Sequence, residues 1–199
     1  LMIISVNHTK KRVRLISFPL DLYVYIPAYR MNRINVAFPA GITVAYPGGG
    51  FALFQDTMKY NFGLKVDHYA LVNFNGFSAI VDTLGGIDVT AASTYTDRRG
   101  KAMFTVYAGT THMDGATALW YARARYASND FDRERRQQEV IVGIMHRLLS
   151  LNALADIPGI YNTLSQYVQS DIALDMITPY ADLAASVSPS DVKRVTIGP

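Results

Sequence analysis

Cysteine is absent from the 199 residues, which excludes a disulfide framework and any cysteine-based metal site. Histidine occurs only at His8, His68, His112 and His146, without the spacing of a ligand set. No apolar run reaches the roughly 18 residues of a membrane-spanning helix, and no signal peptide is visible. Neither a phosphate-binding P-loop nor a GxGxxG pattern is present, so nucleotide-binding folds of those kinds are excluded. Repeats, low-complexity tracts and linkers are missing too, and a single domain over residues 1–199 is expected. Excess charge is small, at a formal +3, which gives little non-specific attraction to nucleic acid. What remains is half hydrophobic and 12% aromatic, enough for a sizeable core and far from a disordered composition.

Leu1–Val6 and Arg12–Phe18 read as two strands joined by the polar turn Asn7-His8-Thr9-Lys10-Lys11. The chain thus opens directly in a strand that reads as buried, so a longer protein truncated at its N-terminus is expected. Tyr23–Ile26 either extends the second strand or begins a third. Pro27 to Gly50 reads as loop-rich, punctuated by Pro39, Gly41, Pro47 and Gly48-Gly49-Gly50. A helix is predicted from Phe51 to Tyr60, a strand over Val66–Phe74, and a helix over Gly76–Leu84 ended by Gly85-Gly86. Another strand starts at Ile87. Thr94–Thr111 is polar, with a hairpin around Arg98-Arg99-Gly100, and Asp114 is the predicted N-cap of a short helix through Leu119. Past a long helix described next come helices over Pro158–Gln169 and Met176–Val187 and a closing strand, Val192–Ile197. Strands and helices intermixed in this order predict an α/β fold, a three-layer α/β/α sandwich with a central mixed sheet flanked by helices.

Five arginines fall between Trp120 and Val140: Arg123, Arg125, Arg133, Arg135 and Arg136. The alternation Tyr121-Ala122-Arg123-Ala124-Arg125-Tyr126 predicts a strand-like segment with Arg123 and Arg125 on one side. After the polar break Ser128-Asn129-Asp130 a helix is predicted to about Leu151, with the apolar stripe Val140, Ile141, Ile144, Met145, Leu148 and Leu151. At roughly 100° per residue Arg133 and Gln137 continue that stripe, Arg136 falls at its margin and Arg135 points to solvent. An inward guanidinium without a counter-charge costs several kcal/mol, so it needs an acid or a bound anion. A helix N-terminus favours anions, and guanidiniums bind phosphate oxygens through paired, charge-assisted hydrogen bonds. Arg123, Arg125, Arg133 and Gln137 therefore read as a clamp on pyrophosphate. A surface ion-pair network with Asp130, Asp132 and Glu134 explains the same pattern without a ligand.

These residues resemble the signature of the LytR–CpsA–Psr cell-envelope family: Arg123-x-Arg125, then Asp130-Phe131-x-Arg133-x-x-Arg136-Gln137-Gln138. Val66-Asp67-His68-Tyr69-Ala70-Leu71-Val72-Asn73-Phe74 with Gly76-Phe77, and Val81-Asp82-Thr83-Leu84-Gly85-Gly86-Ile87-Asp88-Val89, resemble its central block. Asp114-Gly115-x-x-Ala118-Leu119 is similar to its next block, and Ser17-Phe18-Pro19-Leu20-Asp21 to its first. Four blocks in the right order, over roughly residues 1–150, make the resemblance specific.

The resemblance implies a metal-dependent phosphotransferase on the extracytoplasmic face of the bacterial cell membrane, held there by an N-terminal anchor outside this chain. It would take a glycopolymer from a polyprenyl-pyrophosphate carrier and attach it to peptidoglycan, mainly by electrostatic stabilisation of the transferring phosphate. It further implies that Arg123, Arg125, Arg133 and Gln137 contact the pyrophosphate and that Asp130 holds them. Asp21 and Asp130 are the candidate catalytic acids. Magnesium is implied as cofactor, with ligands expected upstream of Leu1 and none within this segment. A lipid tail would enter an apolar tunnel beside Arg123, with Val140, Ile144 and the strand Tyr69–Phe74 as candidate walls. Two positions depart from the family. Leu20 stands where an arginine normally touches the pyrophosphate, and Arg33 stands near the usual lysine and is expected to restore part of that charge. The change at Leu20 makes a binding module without catalysis the alternative. Nucleic acid is not an expected partner.

Overall fold

The structure is a computed structural model that describes every residue except 126–128, 151–156, 178–179, 181–182, 184–185, 188–190 and 199. It is a mixed α/β fold whose contacts divide the chain into two compact units. One comprises Phe18–Tyr69 with the two chain termini, the other Met2–Ser17 and Ala70–Ile197.

β1 (Met2–Asn7) and β2 (Arg12–Ser17) form the expected antiparallel pair, in register from Met2 opposite Ser17 to Asn7 opposite Arg12. Alternation along β2 sends Val13 and Leu15 inward, where they meet Leu183, Val187 and Val192. In the smaller unit, β3 (Tyr23–Ile26) is a strand of its own and pairs with β4 (Arg30–Arg33). A 3-10 turn at Ile34–Val36 leads into α1 (Ala37–Thr43), and α2 (Gly49–Phe62) follows. The loop-rich stretch Pro27–Gly50 therefore also holds a strand and a helix. Pro39 falls in the first turn of α1, where its missing N–H has no helical partner to lose. Gly41 is a packing position, because a Cβ there would lie 2.8 Å from the Gly49 carbonyl. Phe18, Val24, Ile26, Ile34, Leu53 and Met58 are this unit's large buried apolar side chains, with Ala37 and Ala40 also buried on α1.

In the larger unit the strand predicted over Val66–Phe74 shrinks to β5 (Ala70–Val72), whose three residues are exposed. α3 (Phe74–Thr83) starts earlier than predicted, since Asn73 accepts from Gly76 N at 2.7 Å and caps it. β6 (Ile87–Ala91), β7 (Tyr95–Arg99), β8 (Ala102–Val106) and β9 (Gly109–Met113) form two antiparallel ribbons, β6 with β9 and β7 with β8. The hairpin at Arg98-Arg99-Gly100 is as expected. α4 (Gly115–Arg123) packs against α3 and α5 (Asp130–Ser150), and α5 against β6, with Val81, Ile87, Val89, Met113, Ala118 and Tyr121 at the centre of the core. The helix predicted over Pro158–Gln169 ends sooner, as α6 (Ile157–Ser165). Gln169 belongs to β10 (Val168–Ser170), which pairs with β5. α7 (Leu174–Ile177) covers the start of the last predicted helix, most of whose remainder lies outside the described residues. β11 (Lys193–Thr196) returns parallel to β2, so among the described residues the one three-stranded sheet is mixed, in the order β1-β2-β11. No described helix is long and apolar enough to cross a membrane.

α3 and α4 meet at Gly115, whose N–H donates to Asp82 Oδ1 at 2.7 Å and whose carbonyl accepts from Ser78 Oγ at 3.2 Å. A Cβ at Gly115 would overlap the Ser78 carbonyl. Helix propensity alone favours alanine over glycine by about 1 kcal/mol. Gly115→Ala is nonetheless expected to lower the urea midpoint, because the two helices must separate to admit the methyl group. A raised midpoint would show that this approach is looser than described.

Candidate functional site

Asp114 begins α4 as predicted, accepting from Thr117 N at 2.7 Å, and that hydrogen bond holds its carboxyl below the usual range. Ala118, Tyr121 and Ala122 share the buried face of the helix. The helix runs four residues further than predicted, to Arg123, with Ala124 turning extended after it. The strand predicted over Tyr121–Tyr126 is thereby corrected. Short alanines satisfied a period of two on paper, while the 118/121/122 spacing buries a helical stripe. Arg123 sits on the last turn of α4 and Arg125 lies beyond its end, so they do not share a strand face.

α5 begins where Asn129 Oδ1 accepts from Asp132 N at 2.9 Å. Its second turn grips the end of α4. Arg136, expected at the stripe margin, is fully buried at 0% exposure. Its Nε donates to the Tyr121 carbonyl at 2.9 Å, and its Nη2 donates to the Ala124 carbonyl. Its guanidinium lies 3.8 Å from the Tyr95 ring centroid. A cation thus closes the carbonyl end of α4, where the helix dipole favours it. Burial lowers the pKa of Arg136 from its ordinary value. Gln137 Nε2 joins it by donating to the Ala122 carbonyl at 3.2 Å. Beside them the buried Glu139 accepts from the Tyr121 hydroxyl at 2.7 Å and from Ala92 N at 3.1 Å. Burial and this bond raise the Tyr121 hydroxyl above its ordinary pKa. Arg135, expected in solvent, is half-buried: it bonds Ser93 Oγ at 3.0 Å and faces Asp132 at 3.2 Å and Glu139 at 3.7 Å. Gln138 Nε2 ties the same turn to the three-stranded sheet through Ser17 Oγ (2.9 Å) and the Val195 carbonyl (3.0 Å).

The structure brings Arg125 and Arg133 together on one acid. Asp130 Oδ1 lies 3.1 Å from Arg125 Nη2 and 3.1 Å from Arg133 Nη1. The inward Arg133 therefore has its counter-charge, and the ion-pair explanation accounts for it in part. Arg123 behaves differently: its guanidinium carbon lies 3.6 Å from the centroid of the Phe74 ring, which is 55% exposed. Arg123 and Arg125 line an open groove of about 560 Å³ with Asp97, Arg98, Arg99 and Trp120. The cations of the β7–β8 hairpin were read from sequence only as a turn. No periodicity linked them to α4, although the bond from Trp120 Nε1 to the Arg98 carbonyl (2.8 Å) makes the link. Val140 packs at the centre of the core and Ile144 packs against it. In the smaller unit Asp21 and Arg33 form their own half-exposed pair at 3.2 Å, and Leu20 is exposed beside them.

Among the described residues no three carboxylate or histidine side chains converge on a cation position, and Asp21 and Asp130 already face guanidiniums. This donor set does not fit magnesium by itself.

Glu134, one of the acids of the surface ion-pair network that the sequence allows, lies in the interior instead. It is 3% exposed and neither carboxylate oxygen has a hydrogen-bond partner among the described residues. Burial raises its carboxyl above the ordinary 4.5, while Arg133 pulls it back. A carboxyl raised in the folded state loses stability as pH climbs from its unfolded value through its folded one. Glu134→Gln removes that loss. The stability of Glu134→Gln relative to wild type, from urea titrations, is expected to be higher at about pH 7 than at about pH 4.5; a difference independent of pH would sink the idea. Arg136→Ala leaves two helix-end carbonyls unpaired in the core and is expected to cost about 3 kcal/mol or more in the same assay.

The model of the LytR_cpsA_psr family matches residues 1–198. The polyisoprenyl-teichoic acid–peptidoglycan teichoic acid transferase TagU of Enterococcus faecalis (strain ATCC 700802 / V583) is 31% identical over 177 residues, 87% of this chain and 54% of that protein. The crystal structure of B. subtilis TagV has a TM-score of 0.80 at 24% identity, over 99% of this chain and 75% of that one. TagT bound to LIIa-WTA has a TM-score of 0.75, also at 24% identity, over 98% and 71%. These two likenesses speak for the fold. The chain spans about half the length of the curated relatives it matches. With the family model matching nearly every residue and the arginine motif in place, this chain belongs to the LytR_cpsA_psr family.

Proposed function

We propose that this chain moves a glycopolymer from a polyprenyl-pyrophosphate carrier onto peptidoglycan, acting as a phosphotransferase at the extracytoplasmic face of the membrane, with its anchor outside residues 1–199. The observation that carries the reading is Arg123 seated on Phe74. Leu71, Val72 and Phe74 are exposed apolar side chains on and just after β5, and Arg123 meets them at Phe74. A cation at the edge of an exposed apolar strip suits a ligand with an anionic head and a hydrocarbon tail. The name of the 31% identical relative, a polyisoprenyl-teichoic acid transferase, supports the same substrate class and favours transfer over binding alone.

In this reading Arg123, Arg125 and Arg133 bind the pyrophosphate oxygens, and Gln137, with one amide hydrogen on Ala122, offers the other. Asp130 orients two of the guanidiniums and Asp21 orients Arg33. An acceptor sugar hydroxyl attacks the phosphorus that carries the glycopolymer. The new O–P bond forms as the bond from that phosphorus to the bridging oxygen breaks, and polyprenyl monophosphate leaves. The hydroxyl proton passes to Asp130, the candidate acid that lies with these arginines. Positioned guanidiniums stabilise the charge that moves onto the bridging oxygen. Magnesium, with ligands outside this segment, and the three-layer sandwich remain parts of the proposal; no step above needs the metal.

Calorimetric titration with farnesyl pyrophosphate tests the site. Arg123→Ala, Arg125→Ala and Arg133→Ala are each expected to weaken binding by about 1.5–3 kcal/mol, while Arg14→Ala on β2 leaves it unchanged. Phe74→Ala should shrink the gain in affinity on lengthening the prenyl chain from geranyl to geranylgeranyl. No binding by wild type, or equal losses at Arg14 and Arg123, would overturn the reading.

A further inference from the structure

The three-stranded sheet has two unlike faces. Val13 and Leu15 turn one side of β2 into the core, with Ile141 and Met145 of α5 packed against that cluster. Arg12 and Arg14 alternate with them and stand exposed on the other side. Register carries this outer face across the sheet. Ser5 of β1 and Lys193 of β11 both lie opposite Arg14, and Ile3 and Val195 both lie opposite Ile16. Lys10 and Lys11 extend the face at the exposed turn, where Asn7 Oδ1 accepts from Lys10 N at 2.7 Å.

Lys193 directly beside Arg14 is a like-charge pair, which destabilises a sheet. Nothing on the strands offsets it: β1, its turn, β2 and β11 contain no acid. Among the described residues no ion pair engages Lys10, Lys11, Arg12, Arg14 or Lys193. Asp191, the nearest acid in sequence, lies before β11 and pairs with none of them. The chain has 19 lysines and arginines against 16 acids, so without these five its charge would be negative. Its positive excess therefore stands on this face. Between the cations the face is apolar, with Ile3 and Ile16 half-buried and Val195 43% exposed. Unpaired cations set among apolar side chains on a flat surface fit a layer with phosphates outside and hydrocarbon just beneath. Nucleic acid would meet the cations and leave the apolar residues unmatched.

We infer that the outer face of the β1-β2-β11 sheet rests on the bilayer, with Arg12, Arg14 and Lys193 on the headgroup phosphates of anionic phospholipid. The inference rests on the membrane location proposed above and adds a contact made by the folded domain itself. Gln138 gives that contact a use. Its amide bonds Ser17 Oγ and the Val195 carbonyl, which fastens the turn of α5 that also bears Arg136 and Gln137 to the sheet. A sheet lying on the bilayer holds the arginine site at a set attitude to the surface that supplies its lipid.

Co-sedimentation of the whole chain with vesicles tests this, using phosphatidylcholine alone or with about 30% phosphatidylglycerol. Wild type should bind the charged vesicles at least about tenfold better than the neutral ones, and the advantage should fade as salt rises toward about 1 M. Arg12→Gln with Arg14→Gln should cost roughly 5–25-fold on charged vesicles at low salt. Lys59→Gln with Lys101→Gln removes the same charge elsewhere and should stay within about twofold of wild type. Lys193→Glu separates the face from the fold: vesicle binding should fall while the urea midpoint rises, because the like-charge pair becomes an opposite one. The inference is overturned if wild type does not distinguish the vesicles, if the two double variants lose equally, or if Lys193→Glu lowers both readouts. Soluble polyphosphate binding wild type as tightly as charged vesicles would make the face a site for any polyanion and also overturns it. Vesicle binding is read without substrate, so its failure leaves the transfer reading standing. Failure of wild type to bind farnesyl pyrophosphate strikes that reading alone.

Discussion

The buried guanidinium of Arg136 is the constraint on which the rest of the site depends. A charge with no exposure is tolerated only when its donors are met, and here backbone carbonyls at the end of α4 and the face of Tyr95 meet them. The arrangement works in both directions. Arg136 acquires acceptors, and a helix that would end in open carbonyls acquires a cap. The residues that bear the exposed cations, Arg123 on the last turn and Arg125 just past it, are therefore anchored by a side chain that touches no ligand. Gln137 adds a second fastening to the same turn, and Gln138 carries the fastening to the mixed sheet.

Around this anchor the charges are sorted by depth. Glu139 is buried and fully engaged, Arg135 is half-buried between two acids, and Asp130 shares one oxygen between a buried arginine and an exposed one. Pairs near the surface contribute little to stability, so the conformational role of Asp130 outweighs its energetic one. It keeps two guanidiniums from repelling one another apart.

Much of this was legible where one periodicity spoke alone. The β1–β2 pair, the Asp114 cap, the β7–β8 hairpin and the extent of α5 followed from alternation, a capping residue, a turn and a 3.6-residue stripe. Legibility failed where a residue type has two physical uses. Pro39 and Gly41 read as breakers, yet one occupies a first helical turn and the other makes room for a neighbouring backbone. The alanines around Arg123 fitted strand and helix equally, and burial of Tyr121 decided between them. Arg136 was beyond reach for another reason. A helical projection places a side chain on a face, but it does not reveal that the preceding helix leaves its carbonyls there. The family blocks located the arginine motif and left the division of labour within it open: Arg136 within the fold, Arg123 and Arg125 at the surface.

The contact between Arg123 and Phe74 also sets a direction. At 3.6 Å from the ring centroid the planar guanidinium must lie nearly parallel to the ring, since a tilt would drive a nitrogen into it. Its N–H groups then radiate within that plane and none points along the normal. An anion dropping onto the flat of the guanidinium would find charge but no hydrogen to accept. Only one sliding in along the rim, level with the aromatic face, would find both. The site is in this sense a slot with an orientation, set by a side chain that carries no charge.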